Sequence, residues 1–189
     1  MIIIVSGLPR SGTSMMMQML QAGGIKILTD QKRKPDINNP KGYLEFEKTK
    51  DLQNDFSWMD LAEGKAVKIV SPLLASLPAR DDYKIIFMER DLNEIIASQK
   101  KMAPTKENDQ QLLVAFEKHL KEIKDYLKNK RVLFVDHRQV IKNPKRIAEK
   151  VSDFLATELN LNAMAKVVDP KLYRQRTVFI DGQTKKELN

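Results

Sequence analysis

The apolar positions of this chain fall into short runs separated by longer stretches of mixed character. Ile2–Val5, Ile25–Leu28, Ala66–Val70, Lys84–Met88 and Val132–Val135 are short and rich in β-branched residues, a pattern that predicts strands buried within a sheet. Between them apolar residues recur at helical spacing. Thr13–Ala22 predicts a helix closed by Gly23-Gly24, and Leu92–Met102, Asp109–Lys128 and Pro144–Ala156 predict three more. The last has Pro144 in its first turn and Asn143 at the cap position. Met15, Met16, Met17 and Met19 read as packing within the first helix rather than as chemistry. Strand and helix alternation predicts an α/β fold, a three-layer sandwich around a central parallel sheet of about five strands. Residues 29–44 carry charges, Pro35, Asn38-Asn39-Pro40 and Gly42, so a loop over the sheet edge is expected there. From about Asp169 the periodicity weakens and a partly mobile tail is expected. Residues 1–189 are expected to form a single domain.

The first apolar run leads directly into Ser6-Gly7-Leu8-Pro9-Arg10-Ser11-Gly12-Thr13-Ser14. A strand, a Gly-x-x-x-x-Gly turn and a helix N-terminus make a cradle in which backbone N–H groups and the helix dipole meet an anion. This resembles the opening of a P-loop nucleoside triphosphate hydrolase-like fold, which is the fold expected here, with one departure. A nucleotide triphosphatase loop has Lys after the second glycine; here Thr13-Ser14 follow, and the basic residue is Arg10 inside the loop. The loop is therefore expected to hold an anion other than the β- and γ-phosphates of a triphosphate. The fourth strand ends in Glu89-Arg90-Asp91, with Ser98 about two turns into the next helix. In an open parallel sheet, ligands sit beyond the carboxyl ends of the strands, which brings Arg90 and Ser98 to the same rim as the loop. A guanidinium and a hydroxyl there suit a second phosphate-like group; taken alone, Arg90 reads as a rim salt bridge.

Composition narrows the setting. There is no cysteine, so disulfides and thiolate metal sites are excluded. No stretch approaches membrane-spanning length and the opening apolar run is too short for a signal-peptide core, so a cytoplasmic location is expected. The net charge is +8, and residues 121–150 hold ten Lys/Arg against four Asp/Glu. With 6% aromatic residues the basic segment reads as a solvated helix face rather than a nucleic-acid platform. Composition leaves the oligomeric state open.

The stretch Pro9–Thr13 resembles the Pro-Lys/Arg-Ser-Gly-Thr loop of the sulfotransferase family. Lys84–Asp91 followed by Ser98 and Met102 resembles that family's strand, Arg-Asp/Asn-Pro and helical serine, with Leu92 in the place of proline. Val132–Val135, Asn143-Pro144 and Asp153-Phe154-Leu155 resemble its strand, Asn-Pro and Phe-Leu segment. The three stretches stand in family order. The resemblance implies a donor, 3′-phosphoadenosine 5′-phosphosulfate (PAPS), and transfer of its sulfuryl group to a hydroxyl or amine of a small-molecule or glycan acceptor, with no metal. It implies that Pro9, Arg10, Ser11, Gly12, Thr13 and Ser14 hold the 5′-phosphosulfate and that Arg90 and Ser98 hold the 3′-phosphate. Lys68 falls where cytosolic members have the lysine of Lys-Thr-His-x-Pro, but Val70 stands at the histidine. His119 and His137 are expected on the surface. Asn39-Pro40-Lys41-Gly42-Tyr43-Leu44-Glu45 resembles a stretch of bacterial members and nominates Glu45 as the base, provided burial raises its pKa; the other reading has Glu45 capping the next helix. With Arg10 and Lys68, Glu45 completes the expected catalytic set. The family's carboxy-terminal grip on the nucleotide is not recognisable in 174–189, where Arg174 and Arg176 are the available cations. Two other functions fit parts of the chain: a P-loop kinase with Asp136 as its magnesium-linked acid, and a non-catalytic anion- or nucleic-acid-binding module using the basic segment.

Overall fold

The computed structural model describes residues 1–180 and 183–188, with side chains described through residue 176. Its central sheet has five parallel strands: β1 (Ile2–Gly7), β2 (Lys26–Ile27), β3 (Lys65–Lys68), β4 (Tyr83–Glu89) and β5 (Val132–Asp136). Their spatial order is β2-β3-β1-β4-β5. All six residues of β1 are buried, as a central strand covered on both faces requires. Alternation along the strands divides the core in two. Ile3, Val5, Ala66, Ile86 and Met88 pack on one face with Met16, Met17, Met19 and Leu20 of α1 (Thr13–Ala22). Ile2, Ile4, Val67, Ile85 and Phe87 pack on the other with Trp58, Leu74, Ile123 and Leu127. The result is the expected three-layer α/β/α sandwich.

The remaining helices are α2 (Leu92–Met102), α3 (Asp109–Leu127), α4 (His137–Lys142), α5 (Pro144–Leu155) and α6 (Leu161–Lys166). α2 starts at Asp91, whose carboxylate accepts from the N–H groups of Asn93 and Glu94, the favourable N-cap arrangement. α3 begins with a capping box between Asn108 and Gln111. Asn143 occupies the N-cap position of α5 without a side-chain capping bond, so Pro144 sets that start without help from its neighbour. Ala156, in the left-handed region, ends α5.

Several elements depart from the sequence expectation. β2 shrinks to two residues at the sheet edge. α4 and α6 are six residues each, too short for periodicity to reveal. The tail beyond Asp169 forms a short 3₁₀ turn, Pro170–Leu172, and an antiparallel pair, β6 (Gln175–Ile180) and β7 (Gln183–Leu188), with β6 beside α2. No helix among the described residues is long and apolar enough to cross a membrane.

Candidate functional site

β1 ends at Gly7, and the chain turns through residues 8–11 into α1. Gly7 has φ 147°, and a Cβ there would collide with Ser11 Oγ and lie 2.6 Å from the Met88 carbonyl oxygen. Gly12, with φ 103°, stands at the N-cap of α1, and no side chain caps the helix. The first-turn N–H groups of α1 therefore keep their capacity for an external acceptor. This loop lies between the carboxyl ends of β3 and β4, because β1 pairs with both. It opens on a cavity of about 350 Å³ lined by Pro9, Arg10, Gly12, Thr13 and Ser14 from the loop, and by Glu45, Lys68, Arg90 and Ser98 from elsewhere.

Nine of the ten expected site residues thus border one cavity. Ser11 does not: it is fully buried, its Oγ is unpartnered, and its N–H is spent on the Leu8 carbonyl at 3.0 Å. It supports the turn from within.

The cations sort into two groups. On one side, Arg10 (φ 78°) donates from Nε to Ser98 Oγ at 2.9 Å and from Nη2 to the Asn38 carbonyl at 3.1 Å. Arg90 donates from Nη1 to the Arg10 carbonyl at 3.0 Å and from Nη2 to the Gln175 carbonyl at 2.8 Å. Its Nε lies 3.0 Å from Glu94 Oε2. Glu94, buried in the first turn of α2, also accepts from Arg138 at 2.7 Å and from the Tyr173 hydroxyl at 2.6 Å. Arg90 is therefore more than a rim salt bridge: a buried carboxylate orients its guanidinium.

On the other side, Lys68 is buried, and its Nζ donates to Glu45 Oε1 at 2.8 Å, the Tyr43 carbonyl at 3.1 Å and Ser14 Oγ at 3.2 Å. Arg33 approaches the same Glu45 carboxylate with Nη1 at 3.2 and 3.1 Å and stacks 3.4 Å over the Tyr43 ring. The expected loop over the sheet edge is thereby folded inward, onto α1 and β3. Burial pushes the Glu45 carboxyl up, but the charges and hydrogen bonds of Lys68 and Arg33 outweigh it and hold the pKa below its ordinary value. The expectation of a raised pKa is corrected: two cations share one carboxylate, so its charged form wins. Nor does Glu45 cap the next helix, since Phe46 is the N-cap of the 3₁₀ turn Glu47–Asp51.

Neither histidine sits on the surface as expected. His119 is half-buried on α3, its Nε2 2.9 Å from the Oγ of fully buried Ser71, and burial lowers its pKa. His137 lines the cavity and is 7% exposed. Its ring packs edge-on against Tyr173 at 5.0 Å. Burial, reinforced by the nearby Arg90 charge, pushes its pKa down to about 3. Sequence reading missed it because a lone histidine beside lysines and arginines reads as solvated; its position as the first residue after β5 was the available signal. Arg174 also borders the cavity and donates to the Ile37 carbonyl at 2.7 Å, whereas Arg176 turns back to the carbonyls of Tyr173 and Pro170. Asp136 caps α4 through the Gln139 N–H. In the basic segment, Lys124 and Lys130 lie over the rings of Phe134 and Tyr126.

A family model described as "Sulfotransferase domain" matches residues 2–175. The chain belongs to the sulfotransferase family. Its fold is the P-loop nucleoside triphosphate hydrolase-like one, and solved sulfotransferases share it at low sequence identity. The sulfotransferase domain from the curacin biosynthetic pathway aligns with a TM-score of 0.52 and 16% identity over 92% of this chain and 76% of that one. A mouse sulfotransferase complexed with PAP aligns at 0.52 and 17%, and retinol dehydratase in complex with androsterone and the inactive cofactor PAP at 0.53 and 17%. Each of those two alignments covers 87% of this chain and 62% of the other. Comparison with curated proteins gives no match. In this family member, the cavity bounded by the loop, Arg90, Ser98, Lys68 and Glu45 is the candidate site.

Proposed function

We propose that this sulfotransferase-family protein moves a sulfuryl group from PAPS to a hydroxyl or amine of a small-molecule or glycan acceptor. The observation that carries the reading is the meeting, around one cavity, of the uncapped loop of α1, two arginines tied to Ser98 and Glu94, and a lysine–carboxylate pair. In this reading the amides of the loop, with Pro9, Arg10, Gly12, Thr13 and Ser14, hold the 5′-phosphosulfate. Ser11 acts by shaping the turn. Arg90 and Ser98 hold the 3′-phosphate, and Arg10, bonded to Ser98, bridges the two anionic ends. The acceptor oxygen forms its bond to sulfur as the bond from sulfur to the 5′-phosphate oxygen breaks. Glu45, held ionised by Lys68 and Arg33, is a weak base, so the acceptor proton passes to it only late, once bonding to sulfur has made that proton acidic, while Lys68 and the loop amides neutralise the departing phosphate oxygen. A sulfuryl group carries less charge than a phosphoryl group, so positioning and fixed donors suffice without a metal.

Thermal unfolding with and without 3′-phosphoadenosine 5′-phosphate (PAP), in the presence of a chelator, tests this. A ligand at about 100 times its Kd stabilises by about 2.7 kcal/mol, which for a domain this size is a rise of several degrees. A rise with PAP and none with ATP–magnesium is expected. Metal-dependent stabilisation by ATP alone would favour the kinase reading; a response to neither would leave a binding module.

A further inference from the structure

His137 has no part in the donor site as read from the sequence, yet its ring stands over the second glycine of the loop. A Cβ on Gly12 would lie 2.7 Å from His137 Cδ2 and 3.6 Å from its Nε2. The edge of the ring carrying Nε2 therefore faces the N-terminus of α1, a ten-residue helix with no capping side chain. Nδ1 is sealed from solvent and has no hydrogen-bond partner. These facts constrain the tautomer. A buried N–H without an acceptor is rarer and more costly than a buried lone pair without a donor. The single proton of the neutral ring therefore belongs on Nε2, where it faces the loop. The lone pair remains on the sealed side. Tyr173 fixes the ring from behind at 5.0 Å, and Tyr173 is itself held by Glu94 and Arg138. The donor is thus pre-aimed, with its orientation already restrained before a ligand arrives.

We infer that His137 is a ligand-binding residue whose neutral Nε2–H donates to an oxygen of the anion seated on the α1 N-terminus, which in the proposed function is the 5′-phosphate end of the nucleotide. The inference rests on that reading and adds a contact to it. It also explains why the loop needs glycine at position 12: a side chain there would occupy the space that the imidazole takes. Proline or alanine would displace the ring and with it the donor.

The test uses the full chain and three probes: PAP, adenosine 5′-monophosphate and adenosine 3′-monophosphate, titrated calorimetrically against wild type, His137→Leu and His137→Gln. Loss of a hydrogen bond to a charged group corresponds to about tenfold to a hundredfold in affinity. His137→Leu is expected to lose that much for PAP and the 5′-monophosphate while changing the 3′-monophosphate less than about twofold. His137→Gln, which keeps an N–H donor, is expected to recover most of the loss. Equal losses for the two monophosphates, or no loss for either, would overturn the inference. Should His137→Leu not fold, nitrogen-15 NMR of the wild-type imidazole carries the test. Protonated Nε2 with a lone pair on Nδ1 is expected, and the opposite tautomer overturns the assignment. Wild-type protein that ignores PAP and the 5′-monophosphate would instead overturn the donor reading, and this contact with it, so the two failures are distinguishable.

Discussion

His137 begins α4 directly after β5, and burial turns an ordinary titrating side chain into a neutral one. Its pKa falls from an ordinary 6.5 to about 3. In that window the unfolded chain binds a proton that the folded protein refuses, so stability is lost as the pH drops below 6.5. The slope from this residue is about 1.4 kcal/mol per pH unit, or roughly 2 kcal/mol between pH 6.5 and 5. Urea unfolding of wild type and His137→Leu at the two pH values measures it: the wild-type loss should exceed the variant's by about that amount. Glu45 shows the opposite balance. It is partly buried too, but Lys68 and Arg33 keep it ionised, so it stands at the cavity as a carboxylate throughout the neutral range.

The loop joining β1 to α1 and the first turn of α2 owe their shapes to different causes. The loop is shaped by space: at Gly7 an added Cβ meets Ser11 Oγ and the Met88 carbonyl. α2 is shaped by charge, since Glu94 is 2% exposed and gathers Arg90, Arg138 and Tyr173 around one carboxylate. Removing one member of such a buried group strands the others, at a cost of about 3–5 kcal/mol. Glu94→Ala is therefore expected to lower the unfolding free energy by about that much in urea titrations, whereas a solvated i,i+4 pair would be worth only a few tenths.

Across the whole protein, the sheet order β2-β3-β1-β4-β5 puts the loop after β1 at the point where the sheet is wound in both directions. Lys68 at the end of β3 and Arg90 just past β4 then flank it from opposite sides. The cavity between them borders eight Lys/Arg side chains, among them Arg10, Arg33, Lys68, Arg90 and Arg174, against Glu45 and Asp169, and the chain as a whole carries +8. Such a site draws anions in, and its pull weakens as salt screens it. Substitution should divide the roles of the two arginines. Arg10→Ala is expected to abolish sulfate transfer with the melting temperature nearly unchanged, whereas Arg90→Ala is expected to weaken PAP binding and, because it strands buried Glu94, to lower the melting temperature as well. Steady-state transfer assays paired with PAP titrations separate the two, and full activity in either variant would refute its assignment.

Much of this was legible along the chain because it depends on neighbours in sequence. Period-2 and period-3.6 patterns follow from local geometry, so the strands, α1 and α2 appeared at or within a residue or two of their true ends. Glycine spacing marked the loop, and Arg90 and Ser98 were placed on one rim because a strand and the helix after it are adjacent. What folding alone settled involves residues far apart: Glu45 meeting both Lys68 and Arg33, Glu94 meeting Arg138 and Tyr173, His119 meeting Ser71, and His137 sinking over Gly12. The physical reason is that charge state and partner choice depend on desolvation and three-dimensional distance, and no local pattern in a one-dimensional string carries either quantity.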